Sequence, residues 1–85
     1  MSDAITCTVL LFAELAERAG VRSIALSLAA DATVDAALAA VAADHPGVAP
    51  LLTSVAVALD ERYTRRDAAI PDGATLALIP PVSGG

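Results

Sequence analysis

The sequence contains no lysine and no tryptophan, one cysteine and one histidine, and its only aromatic side chains are Phe12 and Tyr63. Each scarcity removes a class of chemistry. Without lysine there is neither a Schiff-base nucleophile nor a phosphate-gripping P-loop lysine. With Cys7 alone, no intrachain disulfide and no multi-cysteine metal site can form. Cys7 lies in an apolar, strand-like run, where a free cysteine reads as a small buried hydrophobe rather than a nucleophile. His45 stands beside Pro46-Gly47, where a helix should stop, and reads as a helix-end residue rather than a catalytic base. No dense carboxylate cluster makes up for these gaps. The chain therefore lacks the parts of a self-contained active site, and it is expected to catalyse nothing alone and to bind no cofactor or metal of its own.

Net charge is −5, from ten acidic residues against five arginines. That balance argues against nucleic acid, whose phosphates need a basic face. It is compatible with a basic protein partner, although acidity more commonly reflects solubility. Arg62, Arg65 and Arg66 form the one basic cluster and read as solvated surface rather than a docking site. No run approaches the ~18 apolar residues of a membrane helix. The start, Met1-Ser2-Asp3-Ala4, lacks the basic region of a secretory signal. The expectation is a cytoplasmic protein with no membrane partner.

At 85 residues the chain is one domain near the small end of what a single core stabilises. Such a length buries about 60–65% of its unfolded surface, and here the core must be aliphatic. Ile5 to Phe12 is rich in β-branched residues, with Ile5, Cys7, Val9 and Leu11 on one face at period two, which predicts a strand. Ala13 to Ala19 holds strong helix formers, with Gly20 as the stop. Ser23 to Leu28 alternates again, with Ile24, Leu26 and Leu28 inward. Asp31-Ala32-Thr33 offers capping oxygens, and Asp35 suits the first turn of a helix. The main helix is predicted over 33–44, with Val34, Leu38, Val41 and Ala42 inward and His45-Pro46-Gly47 ending it. Val48 to Leu52 reads as a short helical turn, Val55 to Leu59 as a strand, and Tyr63-Thr64 as a candidate short strand. Pro71-Asp72-Gly73 is a turn signal before a last strand, Thr75 to Ile79.

One long helix covering one face of one sheet makes an α+β, two-layer domain. If the first and last strands lie side by side at the centre, the arrangement is a β-grasp: a mixed sheet of four to five strands, one main helix and short helices. Periodicity does not fix strand order, so a ferredoxin-like split βαβ remains the rival, although it wants two comparable helices.

The domain is expected to occupy residues 1–79, with an extended tail over 80–85: Pro80-Pro81-Val82-Ser83-Gly84-Gly85. Gly is about 7% of average residues, so two in a row at an end arise by chance in roughly one chain in two hundred. The tail therefore needs support from the rest of the chain. Pro80 and Pro81 fix φ near −65° and remove two backbone donors, so the strand should stop there and the tail leave the sheet semi-rigid. Stiffness lowers the entropy lost when a tail enters a partner. Gly84 and Gly85, without Cβ atoms, are the thinnest passage a polypeptide can offer.

Three stretches carry a resemblance. Val9-Leu10-Leu11-Phe12-Ala13-Glu14-Leu15-Ala16-Glu17-Arg18-Ala19-Gly20 is similar to the first strand and short helix of the small, sulfur-carrying subunits of molybdopterin synthase, a ubiquitin-like β-grasp group. Val55-Ala56-Val57-Ala58-Leu59-Asp60 is similar to their third strand. Ile70-Pro71-Asp72-Gly73, Leu76-Ala77-Leu78-Ile79 and the Pro-Pro-Val-Ser-Gly-Gly ending complete it. The chain departs from the group at Leu59-Asp60, where an asparagine is frequent, and in the alanine-rich stretch from Ala29 to Ala43.

The resemblance implies that Gly85 is the reacting residue, through its α-carboxyl group. A ubiquitin-E1-like enzyme would adenylate it with ATP and magnesium, a sulfurtransferase would supply sulfur, and the resulting thiocarboxylate would build the dithiolene of molybdopterin. It further implies a partner, the large catalytic subunit, in a heterotetramer of two small and two large chains. Pro80, Pro81, Val82, Ser83 and Gly84 would form the tail that enters the partner's channel, and small apolar residues on the sheet would form the docking patch. Carriers for thiamin or cysteine synthesis share the same tail and fold, and a ubiquitin-like protein modifier would share the activation step. A plain interaction module with an accidental Gly-Gly is the remaining alternative.

Overall fold

The computed structural model describes residues 4–81. Alternation decides its first element. In β1 (Ala4–Leu11), Ile5, Cys7, Val9 and Leu11 are buried while Ala4, Thr6 and Thr8 face out. The strand stops one residue before Phe12, which was expected to belong to it. The Phe12 carbonyl instead accepts from the Leu15 N–H at 3.1 Å and opens α1 (Glu14–Ala19). Gly20, at φ 77°, closes α1 in the left-handed conformation and donates its N–H to the Ala16 carbonyl.

β2 (Ser23–Ala29) runs antiparallel to β1, with Leu28 opposite Ile5 and Leu26 opposite Cys7. α2 (Val34–Asp44) follows the predicted bounds closely. Its N-cap is Thr33, whose hydroxyl accepts from the Ala36 N–H at 3.4 Å. Two further orphan donors of its first turn find the 66–68 loop: the Val34 N–H donates to the Ala68 carbonyl and the Asp35 N–H to the Arg66 carbonyl. Val34, Leu38 and Val41 are buried as expected, joined by Ala37, which the alanine-rich pattern had hidden. His45 ends the helix, its N–H donating to the Val41 carbonyl, so its predicted helix-end role is observed. The turn expected at 48–52 is a 3₁₀ helix, Pro46–Leu51.

β3 (Ala56–Leu59) and β4 (Arg62–Tyr63) form a hairpin around Asp60-Glu61. Both turn residues have positive φ, 48° and 73°, the twist that a two-residue hairpin needs. The short strand therefore lies one residue earlier than the Tyr63-Thr64 expected. β5 (Ala74–Ile79) closes the chain of elements. It begins after Gly73, whose φ of +82° rather than any crowding requires glycine. The Gly73 N–H donates to the Thr6 carbonyl, and Asp72 Oδ1 accepts from the Thr6 N–H at 2.8 Å, extending the contact of β5 with β1.

The strand order is β2-β1-β5-β3-β4. β1 and β5 lie side by side and parallel at the centre, with Val9 opposite Leu76 and Leu11 opposite Leu78. That is the β-grasp condition, and the split βαβ rival is excluded. The helices cover one face, where Leu15, Val34, Val41, Val48, Leu76 and Leu78 are fully buried. Cys7 sits among them, 3% exposed, as its strand position implied. No helix of the described residues is long and apolar enough to cross a membrane.

Candidate functional site

Among the described residues no helix lies on the other face of the sheet, and its register divides that face into two halves. One row crosses all five strands: Ser23, Leu10, Ala77, Ala58 and Tyr63 stand side by side. The next row toward the start of β5, Ala25-Thr8-Thr75, is polar, with Thr6 and Ser27 beyond it. On the opposite side lie Ile79, paired with Ala56, and Phe12. The open face is thus apolar at the end where β5 finishes and hydroxyl-rich where it begins.

Phe12, at 46% exposure, and Tyr63, at 77%, stand out from the apolar half. Between them runs an open groove of about 560 Å³, floored by Ala58, Ala77 and Ile79 and reaching Pro80. A second groove of about 700 Å³ lies on the far side of Phe12, between the end of β1 and α1, with Val21 exposed at its edge. Ala13 borders both grooves. Its φ of 51° and ψ of −125° are costly for a residue with a Cβ, and such backbone strain clusters at functional sites. An apolar surface of this kind suits a partner with an apolar patch of its own.

β5 delivers the predicted tail to this end of the sheet. The strand stops at Ile79, as a following pair of prolines requires. Pro80 is half-buried against the groove and Pro81 is exposed. Val82, Ser83, Gly84 and Gly85 lie outside the described residues.

Arg62, Arg65 and Arg66 do not act together. Arg65 pairs with Asp67 at 3.4 Å on the surface and Arg62 is exposed on β4. Arg66 departs from the expected solvated role. Its guanidinium donates to the Leu52 carbonyl at 2.7 Å and the Val55 carbonyl at 3.2 Å, tying the 66–68 loop to the turn before β3. Burial pushes the Cys7 thiol above its ordinary value, which disfavours the nucleophilic thiolate. Among the described residues, no three of His, Cys, Asp and Glu stand close enough to hold a metal ion.

The sequence profile of the ThiS family matches residues 9–85, from β1 to the last glycine. The chain belongs to the ThiS family. Two relatives extend the match. The molybdopterin synthase sulfur carrier subunit of Arabidopsis thaliana is 32% identical over 84 residues, spanning 99% of this chain and 88% of that one. Its counterpart in Chlamydomonas reinhardtii is 37% identical over 79 residues, spanning 91% and 95%. Among solved structures, small archaeal modifier protein 1 of Haloferax volcanii is 31% identical. It superposes with a TM-score of 0.87 over 92% of this chain and 99% of that one. These likenesses agree with the ubiquitin-like β-grasp read from the strand order. Part of the apolar half of the open face was within reach of the sequence. Leu10 is the outward phase of a strand whose inward phase, Ile5, Cys7, Val9 and Leu11, is observed buried. Ala77 and Ile79 alternate with Leu76 and Leu78 in the last strand. Only the register, however, places Tyr63 and Ala58 beside them.

Proposed function

We propose that this ThiS-family chain is the sulfur-carrying subunit of a molybdopterin synthase, with the α-carboxyl group of Gly85 as its reacting group. The observation that carries the reading is the nearly full-length match to two subunits of that name. The geometry supports it: β5 ends in Pro80-Pro81 at the apolar end of the open sheet face, where a partner can dock and receive the tail together.

In the proposed cycle, the Gly85 carboxylate attacks the α-phosphorus of ATP on a separate, magnesium-dependent activating enzyme, and pyrophosphate leaves. A carboxylate is a poor electrophile; the acyl-adenylate gives its carbon a good leaving group, AMP. The terminal sulfur of a persulfide on a sulfurtransferase then displaces AMP to give an acyl disulfide. A partner thiol cleaves its S–S bond, becoming a disulfide and leaving a thiocarboxylate. Docked on the large subunit through Phe12, Tyr63 and the groove between them, the chain threads Val82 to Gly85 into the partner's channel. There the thiocarboxylate sulfur bonds to a carbon of the pterin precursor and water cleaves the acyl–sulfur bond, returning the Gly85 carboxylate. Gly84 and Gly85 keep that passage clear of side chains. Two deliveries complete a dithiolene. This chain supplies no acid, base or metal; the large subunit supplies the active site.

The test is reconstitution. The chain bearing a Gly85 thiocarboxylate is mixed with the large subunit and the pterin precursor. Molybdopterin should form, and a chain lacking Gly85 should form none while keeping its fold. Product from the truncated chain contradicts the reading, and product with a thiamin or cysteine precursor alone moves the chain to another carrier branch.

A second reading has its own observation. The likeness to small archaeal modifier protein 1 favours a role in which Gly85 is joined to amines of other proteins. Both roles begin from the same activated carboxyl group, and a ladder of conjugates in cells that make the protein is the sign of the modifier.

A further inference from the structure

An activated carboxyl group is an electrophile, and other copies of its own chain are among the protein surfaces it meets. That surface is poor in nucleophiles. All five basic residues are arginines, so no side chain among the 85 residues carries an amine. Arginine stays protonated in proteins and is a poor acyl acceptor. The one thiol, Cys7, points into the core between the sheet and the helices, 3% exposed. There it is withheld twice, by burial of the sulfur and by suppression of the thiolate. The one imidazole, His45, is half-buried at the end of α2. Hydroxyl groups remain, and they are weak nucleophiles without an adjacent base.

We infer that this chain is a donor only: its activated carboxyl group passes to a partner and is not accepted by the side chains of a second copy. The inference rests on the reading of Gly85 as the reacting group and adds to it a limit on the product. As a sulfur carrier, the chain does not lose activated tail to its own kind. As a modifier, it builds no side-chain-linked polymer, because it has no side-chain amine to which a second copy could be joined.

The experiment installs the activation chemically, so its outcome does not depend on whether any enzyme activates Gly85. The full chain is prepared with Gly85 as a 2-mercaptoethanesulfonate thioester by thiolysis of an intein fusion, and the free thiol is removed. In an exchange, a thiolate or amine of one copy attacks the Gly85 carbonyl carbon of another. A new thioester or amide bond forms, the mercaptoethanesulfonate thiolate leaves, and the attacking amine gives its proton to solvent. Intact mass reads the products in native buffer and in concentrated urea.

The native chain should remain monomeric, while urea, which exposes Cys7, should produce a thioester-linked dimer. Ala25→Cys, on the exposed face of β2, should dimerise without urea, at least about tenfold above the parent chain. Arg65→Lys, exposed on the surface, should give an amide-linked dimer on longer incubation. Covalent dimer of the native parent chain through Cys7, a hydroxyl or any other side chain overturns the inference. So does a failure of both substituted chains to dimerise, because scarcity of nucleophiles would then not be what limits the reaction. Neither outcome bears on whether cells place sulfur on Gly85.

Discussion

Asp60 and Thr75 hold one another through two hydrogen bonds: the Thr75 N–H donates to Asp60 Oδ1 and the Asp60 N–H to the Thr75 carbonyl, both at 2.9 Å. The first uses a side chain where the antiparallel ladder between β3 and β5 has run out. It fixes the hairpin of β3 and β4 against the centre of the sheet, and with it Tyr63. Asp60 thus has a structural task at the end of this ladder, accepting the Thr75 N–H through its carboxylate.

Asp60→Asn should leave stability within about 0.5 kcal/mol of the parent, because the acceptor and the tolerance of positive φ both survive. Asp60→Ala removes both and should cost about 1–2 kcal/mol. Urea unfolding followed by circular dichroism distinguishes the two.

Arg66 and its two neighbours in the basic cluster should separate in the same assay. Arg66→Ala leaves the Leu52 and Val55 carbonyls without their donor and should cost about 1–3 kcal/mol. Arg62→Ala and Arg65→Ala, on exposed side chains, should stay within about 0.5 kcal/mol. Equal losses at all three would contradict a bracing role for Arg66.

The pH dependence of Cys7 has a definite sign. Its folded value is raised by burial, so the fold holds the thiol proton more tightly than the unfolded chain does. The resulting stability is complete below the unfolded thiol value, about 8.5, and is lost as pH rises through it toward the raised folded value. Unfolding midpoints measured from neutral to alkaline pH should fall more steeply for the parent than for Cys7→Ala. Parallel slopes would remove the burial argument.

Docking is tested at the apolar end of the open face. Phe12→Asp and Tyr63→Ala alter exposed side chains, so stability should change little. Binding to the large subunit, read by calorimetry, should weaken by about 2 kcal/mol for the more central of the two, roughly thirtyfold in Kd. Thr8→Asp, on the polar half, should leave binding unaltered.

Much of this fold is legible in the residues, and the boundary of legibility is physical. β1, β2 and β5 announce themselves because Ile5-Cys7-Val9-Leu11, Ile24-Leu26-Leu28 and Leu76-Leu78 alternate against polar or small partners. α2 is legible from Thr33 and from the stop at His45-Pro46. The Asp60-Glu61 turn is not, because it lacks the glycine that marks tight hairpins, and so β4 was placed a residue late. Strand order is invisible to periodicity, since β1 and β5 pair across almost the whole chain. Arg66 reads as surface charge until the turn holding Leu52 and Val55 is folded against it. The proposed reacting end rests on residue chemistry alone: Pro80-Pro81 stops the strand, and Gly84 and Gly85 carry no Cβ atoms.

The central claim is that Gly85 carries sulfur, and the intact mass of the protein isolated from cells that make it tests this most directly. A Gly85 sulfur carrier predicts a population heavier by the exchange of one oxygen for one sulfur, with fragmentation placing the change on Gly85 and its loss on deletion of the activating enzyme. Only unmodified chain, in cells actively making the molybdenum cofactor, would contradict it.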